Sequence, residues 1–512
     1  MGHALLNAEG IAALGFIIIL FLRLRPSAVL ARELPVPNSV FCAVLAVVTG
    51  IAFWPNLHSP LLHDSYGLVY LPSRQSLSDI GRLFYVHPTS GDFFFRPLSY
   101  LAYWLLSKWA HFEPFRWHLG SLIAHITNAL LVYALARQLS FAKFAAFAAG
   151  LLFALHGSRP EAVAWAASRV DLLATFFVLL TLLSVNRLLN TGRRHWYVPI
   201  VICTVAALLS KESAYGLPFL ACAMFFLRSD RKRGIPVLVL LLALSAAVFS
   251  YRFWVIGGIG GYGAASHDPA ILHFSLLRTI DALFFRQWAL LFFPINWSEP
   301  LGTLERLTLA VMLALLIVLL FRPRANRRLL LAAVAMTIAA ALPVEHLLLI
   351  GSDLNGARVL YLPVLGSAFF WGVLIQGRET VKAQALVVFG LLLFQAAALE
   401  HNLAIWREVA SLGQQSCHFI ASQLIGGNAP IAIENLPAKW KGVYFLNNSF
   451  PACVLLNSGS KLHELPNIET EPSAVRVRTF RWDDATRHFE LVTGSPGTPL
   501  TTPSGSPPVS PR

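Results

Sequence analysis

With 512 residues the chain is long enough for two or three soluble domains, yet 56% hydrophobic and only 13% charged residues fall outside the composition of a soluble globular protein. A net charge of +14 would suit a nucleic-acid-binding protein, but the positive charge sits in short loops between apolar runs, which excludes nucleic acid as the partner. The partner that the composition selects is the lipid bilayer. Uniformly apolar runs near the ~20 residues needed to cross ~30 Å of hydrocarbon make the fold an all-α polytopic membrane bundle, not a barrel of alternating strands.

The first apolar segment, 4–22, is followed by Arg23 and Arg25, which reverses the charge order of a cleavable signal peptide, so it reads as an extra helix. Hydropathy then predicts spans over roughly 36–55, 117–137, 141–156, 171–189, 196–210, 213–228, 235–255, 303–321, 329–349, 360–376 and 383–400. With the extra helix the bundle has about 11–12 transmembrane helices. Segment 279–296 is apolar and aromatic but carries Asp281 and Arg286, so it either crosses the membrane or lies in its interface. Six connecting segments, 22–35, 137–143, 187–195, 228–234, 322–328 and 378–382, hold 18 Lys and Arg against three acids, Glu33, Asp230 and Glu379. Alternating the spans puts all six on one side, which the positive-inside rule assigns to the cytoplasm. The other side receives two long loops, 56–116 and 256–302, and two short ones, 157–170 and 350–359, where function is expected.

Beyond residue 406 the pattern becomes amphipathic and then strand-like, at 431–437, 442–448, 474–482 and 488–492. The expected organisation is an extra helix and cytoplasmic linker (1–35), a membrane domain (36–406), a small extracytoplasmic α/β domain (407–492) and a Pro/Ser/Thr-rich disordered tail (493–512). Cys42, Cys203 and Cys222 lie in apolar runs as small buried hydrophobes, whereas Cys417 and Cys453 fall on the non-cytoplasmic side and can form a disulfide.

Ionisable residues at the ends of membrane helices are costly, and therefore candidates for function. Asp64, in LLHDSYG, is placed to act as a general base just outside the bilayer, the plain alternative being a solvated loop acid. The block LHGSRPEAVAWAASRVDLL sets His156, Arg159, Glu161, Arg169 and Asp171 between two membrane helices. Arg169 offers a planar fork of donors suited to a phosphate, or else forms an ion pair with Glu161 or Asp171. Lys211 and Glu212, in LLSKESAYG, lie on the side where the positive-inside rule does not call for a lysine; phosphate binding explains it, as does a snorkelling lysine paired with its neighbour. Arg96 in FFFRPLSY and Arg358 in GARVLYLP add two cations to that face. No metal-ligand spacing stands out, since His118 and His125 are seven apart with no HxxxH or CxxC beside them. The Gly-rich stretch 257–263 lacks the lysine and helix of a phosphate loop.

Taken in order, HDS, RPLSYL, HLGSLIAHITNALLVYAL, ALHGSRPEAVAWAASRVDLLATFF, LSKES, RFWVIGGIGGYG, ARVLYLPVLG and NLAIW resemble the GT-C superfamily of membrane glycosyltransferases. The closest likeness is to the membrane region of O-mannosyltransferases that carry tetratricopeptide repeats, and it covers residues 56–406. The resemblance implies a GT-C-like fold and an inverting transferase that takes a sugar from a polyprenyl-phosphate donor and attaches it to an acceptor, a protein or a glycan, outside the cytoplasm. It implies Asp64 as the base, and Arg96, His156, Glu161, Arg169, Asp171, Lys211, Glu212 and Arg358 as the residues holding donor phosphate and sugar. The resemblance fixes no cofactor, a divalent cation being the one left open. The sequence departs from the family in two places. His63 stands where a second acid often precedes the base, and a strand-prone segment takes the place of the repeats. A transporter or flippase of a lipid-linked or anionic substrate, or an inactive relative, are the alternative functions. The lack of an organellar targeting segment points to a bacterial cytoplasmic membrane, the endoplasmic reticulum being the counterpart in a eukaryote.

Overall fold

A computed structural model of the protein describes residues 2–26, 34–86, 94–227, 231–261, 275–321, 324–342, 350–378, 380–424, 431–446, 449–459, 462–469 and 478–492. The expected tail, 493–512, the start of the predicted strand 474–482 and the end of the Gly-rich stretch lie outside them. The extra segment is helix α1 (Gly2–Arg23), and the first principal span is α2 (Asn38–Phe53), which passes into a 3-10 turn containing Pro55. The long loop that follows is itself helical: α3 (Asp64–Arg74), α4 (Leu77–Arg82), opened by a Ser76–Asp79 capping box, and α5 (Pro97–Ala110). Next, α6 (Pro114–Gln138) starts on a proline whose missing N–H costs nothing in a first turn. It buries a stripe of His118, Leu122, His125, Ala129, Val132 and Ala136 at helical spacing.

The chain continues through α7 (Lys143–Ala154), α8 (Pro160–Val163), α9 (Arg169–Thr191), α10 (Tyr197–Leu208), α11 (Leu217–Phe225) and α12 (Ile235–Ile256). The segment 279–296 is helical as far as Phe292: α13 (Leu276–Asp281), a π turn (Ala282–Arg286) and α14 (Gln287–Phe292), which is buried throughout, follow one another without a break. The N-terminal helix α1 crosses it so closely that a Cβ on Gly10 would stand 2.8 Å from the Phe285 carbonyl oxygen. Then come α15 (Thr303–Leu319), α16 (Arg327–Ala340), α17 (Val364–Gln376), apolar and buried from Val364 to Ile375, and α18 (Val381–Leu424).

Each predicted span contains a helix over at least part of its length, residues 343–349 of the span 329–349 lying outside the described residues. Among the described residues six are long and apolar enough to cross a membrane: Leu6–Arg23, Asn38–His58, Pro114–Gln138, Ala166–Thr191, Lys232–Ile256 and Val381–Leu424. The remaining predicted spans are shorter helices, from the 9 residues of α11 to the 17 of α15. Hydropathy reports burial in apolar surroundings and not helix length. The predicted run 213–228, for example, joins a 3-10 turn (Glu212–Gly216) to α11.

Described residues of three basic segments, 22–35, 137–143 and 322–328, meet at one end of the bundle. There β1 (Arg25–Pro26) pairs in parallel with β2 (Arg324–Ala325), Lys143 Nζ donates to the Leu34 carbonyl at 3.4 Å, and the Ala142 N–H donates to Gln376 Oε1 at 3.0 Å. The loops expected to carry function lie at the opposite ends of the same helices.

The last helix, α18, runs 44 residues without a break, straight through the boundary expected at 406/407. It leads into β3 (Ile431–Glu434), the hairpin β4 (Lys439–Trp440) and β5 (Val443–Tyr444), α19 (Phe450–Leu456), β6 (Ile468–Glu469), β7 (Arg478–Asp483) and β8 (His488–Val492). A four-stranded sheet has the order β6-β3-β7-β8, with β3 parallel to both neighbours and β7 antiparallel to β8. Phe480 and Trp482 turn inward from β7 at the two-residue period of a strand. A Cys417–Cys453 disulfide ties α18 to α19 across a Cα separation of 5.9 Å.

Candidate active site

Asp64 opens α3, where the positive end of the helix dipole favours a carboxylate, and its side chain is 36% exposed. It lines a cavity of about 510 Å³ together with Arg96, Arg358, Trp165, Tyr444 and the apolar face of Leu68 and Leu71. The residue before it, His63, is held at φ 49°, in the region that side chains rarely adopt. Its ring stacks on Tyr444 at 5.2 Å and on Trp165 at 5.8 Å, and its Nε2 lies 3.4 Å from Asp64 Oδ1. Burial, aided by the charge of Arg358 and opposed by Asp64, lowers the His63 pKa.

Three ion pairs join distant stretches of chain here, two of them reaching the cavity lining through Arg96 and Arg358. Arg96, at the start of α5, directs Nε and Nη2 to Glu212 Oε2 at 2.9 and 2.6 Å. Arg252 of α12 approaches the other oxygen of Glu212 at 3.8 Å. Burial by itself raises the Glu212 carboxyl, but Arg96, with Arg252 behind it, outweighs burial and brings it down to about 2. Lys211 Nζ lies 2.5 Å from Asp171 Oδ1, both buried. Arg358 binds Glu161 through its guanidinium and through its backbone N–H, which donates to Oε2 at 3.3 Å. Its guanidinium also lies 4.9 Å from the centre of the Trp165 ring. Neither of the ion pairs that the sequence offers as the alternative to phosphate binding forms: Lys211 reaches Asp171 and not Glu212, and Arg169 reaches neither Glu161 nor Asp171. Pairing along the chain loses because buried side chains meet whatever neighbour the helix packing supplies.

Arg169 has no carboxylate among the described residues. Its Nη2 donates to the Trp117 carbonyl at 2.8 Å and to Ser121 Oγ at 3.1 Å, while Nε and Nη1 are buried and without a partner. Its charge rests against the rings of Trp117, at 5.2 Å, and of Tyr103, at 5.8 Å; Tyr103 in turn lines the cavity.

His156 has a different task. The chain from Leu151 to Ala166 is buried although most of it past Ala154 is loop, so its backbone polar groups need partners inside the protein. His156 Nε2 pairs with the Leu291 carbonyl at 3.0 Å and Nδ1 with Ser158 at 2.9 Å, and the ring lies off the cavity lining. Arg159 donates to the carbonyls of Phe153 and Tyr361, while Asn402 Nδ2 donates to those of Gly157 and Pro294. Gln395 accepts the Gly157 N–H at 3.0 Å. These side chains hold the loop that carries Glu161.

Sequence reasoning passed over Arg252, Trp165, Tyr103 and Tyr444. A signal existed for Arg252, an arginine inside the apolar run of α12 on the side where the charge rule places none. Tyr444 had no such signal, because it reaches the cavity only through the C-terminal fold. Among the described residues no group of three or more His, Cys, Asp or Glu side chains gathers to hold a metal ion.

Residues 87–254 match the family described as dolichyl-phosphate-mannose-protein mannosyltransferase, a segment that contains Arg96, Glu161, Arg169, Asp171, Lys211, Glu212 and Arg252 but neither Asp64 nor Arg358. A protein O-mannosyl-transferase of Caenorhabditis elegans is 27% identical over 300 residues, which cover 55% of this chain and 42% of the worm protein. Protein O-mannosyl-transferase TMTC4 of Mus musculus is 23% identical over 390 residues, or 62% of this chain and 52% of the mouse protein. The chain thus spans about half, or less, of the length of these relatives. Among solved structures, the Archaeoglobus fulgidus oligosaccharyltransferase with zinc and sulfate aligns at a TM-score of 0.45 and 13% identity, covering 82% of this chain and 61% of that one. ArnT of Cupriavidus metallidurans, bound to undecaprenyl phosphate, aligns at 0.43 and 12%, covering 83% and 85%. The sequence similarity is to O-mannosyltransferases, the kind of protein that the ordered motifs resemble.

Proposed function

We propose that this membrane protein is an inverting GT-C-type glycosyltransferase, which moves a sugar from a polyprenyl-phosphate donor to an acceptor hydroxyl on the extracytoplasmic side. The observation that carries this reading is the single cavity in which a half-exposed carboxylate, Asp64, faces the arginines Arg96 and Arg358. The name of the matched family makes mannose the first sugar to test and protein the first acceptor.

In this reading the acceptor oxygen attacks the anomeric carbon from the face opposite the phosphate, and Asp64 takes the hydroxyl proton as the new C–O bond forms. The bond from the anomeric carbon to the phosphate oxygen breaks, and its electron pair leaves with the phosphate. Cations already fixed in place stabilise that charge without reorganising, which is where electrostatic catalysis gains most. Arg169, with two buried donors unspent, and Arg358 are the groups assigned to the phosphate. Glu161, Asp171 and Glu212 hold Arg358, Lys211 and Arg96 in position. Two observations support the sidedness: three of the basic segments meet at the end away from the cavity, and a disulfide forms in oxidising compartments. The test is Asp64→Asn in membranes supplied with a polyprenyl-phosphate sugar. Transfer should be lost with donor binding intact, and retained turnover removes Asp64 as the base.

A further inference from the structure

We infer that the C-terminal domain is a working part of the catalytic site: its core and its β4–β5 hairpin hold the segment that carries Asp64, and the Cys417–Cys453 bond maintains that support. The inference rests on the reading of Asp64 as the base. Helix α3 has two faces. Asp64, Leu68 and Leu71 look into the cavity, while Tyr66, Val69 and Tyr70 are buried in a hydrophobic cluster that also contains Cys417, Phe445, Phe450 and Cys453. That cluster is separate from the main core of the bundle and also takes in Tyr103, Trp117 and Val170, so the helix beneath the carboxylate is seated between the membrane helices and the C-terminal domain.

Two further contacts clamp the same segment. Tyr444 stacks on His63 at an interplanar angle of 15°, bracing a backbone that is strained at φ 49°. Ser449, at the start of α19, sits so close to α3 that a Cβ on Gly67 would stand 2.6 Å from its Oγ. The hairpin is anchored in turn. Lys441 (φ 51°) and Gly442 (φ 80°) form its two-residue turn, as the twist of paired strands requires. Asn296 donates to the Lys441 carbonyl and Asn355 to the Gly442 carbonyl, each at 2.9 Å. Lys441 Nζ reaches Glu299 at 3.0 Å and Glu408 at 2.8 Å. The membrane loops therefore hold the hairpin, and the hairpin holds His63 and Asp64. On this account Tyr444 is a positioning residue.

The experiment compares the full-length protein with Tyr444→Ala, Tyr444→Phe and a Cys417→Ala/Cys453→Ala double variant, by donor titration of transfer and by hydrogen exchange across 64–74. Tyr444→Ala and the double variant should lower kcat about tenfold or more with the donor KM within about twofold, since a base displaced by ~1 Å loses rate and not donor affinity. Tyr444→Phe, which keeps the ring, should recover kcat relative to Tyr444→Ala. Amides of 64–74 should exchange faster in both impaired variants while those of α6 and α9 keep their protection; loss throughout marks global unfolding, and Gly67→Ala then takes their place, with the same expected fall in kcat. Wild-type kcat and unchanged exchange at 64–74 overturn the inference. Wild-type protein that transfers no sugar overturns the transferase reading instead, and the exchange data still decide whether the domain holds α3.

Discussion

The Lys211 ammonium lies 2.5 Å from Asp171 Oδ1, and both side chains are almost wholly buried where α9 begins and α10 has just ended. A buried pair of this kind costs desolvation to form, yet cutting one partner leaves a lone charge in apolar surroundings. Asp171→Ala should therefore lower stability by about 3–5 kcal/mol, and the double variant Asp171→Ala/Lys211→Met should recover most of the loss. Thermal unfolding of the detergent-solubilised protein measures both.

Glu212 gives the fold a defined response to acid. Its carboxyl stands at about 2 in the folded protein against an ordinary value of 4.5, because Arg96 and Arg252 outweigh the opposing effect of burial. A carboxyl lowered on folding contributes stability that is complete above its unfolded pKa and is lost as protons bind the folded state. The melting temperature should fall as pH drops from 4.5 towards 2, and Glu212→Gln should be less stable at pH 7 and flatter across that window. Melting curves of the two proteins across the window check this.

Arg169→Ala removes two buried donors that have no partner among the described residues and should weaken binding of a polyprenyl-phosphate sugar by about 10- to 100-fold, the worth of one hydrogen bond to a charged group. Arg169→Lys keeps the charge, loses the fork and should fall between the two. Equilibrium binding of a labelled donor reads the series, and unchanged affinity in Arg169→Ala removes this residue from the phosphate site.

Asn402→Leu tests the buried loop without touching the cavity. It strands the carbonyls of Gly157 and Pro294 and the N–H of Asn296, which Asn402 now satisfies. A loss of about 2–5 kcal/mol is expected from unpaired buried groups, with the donor KM of the surviving folded fraction unchanged. Thermal unfolding and donor titration separate the two effects.

Asp64→Asn should lower turnover by about 10²- to 10⁴-fold, the usual contribution of a positioned general base, and leave donor affinity within about twofold. Single-turnover transfer and donor binding on one preparation give both numbers.

The order of the helices was legible because lipid leaves the chain few choices: an apolar run in a bilayer must satisfy its backbone internally, and α2, α6, α9 and α12 appear where hydropathy placed them. The ends of the bundle were legible for the same reason, since lysine and arginine concentrate in the loops at one end. Helix length was not, because runs such as 213–228 are apolar over buried turns as well as helix. The side-chain partners were hidden too. The sequence offers Glu212 to Lys211, and Glu161 or Asp171 to Arg169, as ion-pair alternatives to phosphate binding, while the structure joins Lys211 to Asp171, Glu212 to Arg96 and Glu161 to Arg358.

Sequence alone therefore determined a helical membrane bundle, its two chemically different ends and the set of ionisable residues worth attention, because these follow from the transfer free energy of single residues and short runs. Tertiary structure decided which acid meets which base, that Arg169 meets no acid among the described residues, that His156 serves the backbone of a buried loop, and that Tyr444 of the C-terminal domain reaches Asp64's cavity. Those outcomes depend on how distant segments pack, and pair energies at a few ångströms leave no periodic trace along the chain.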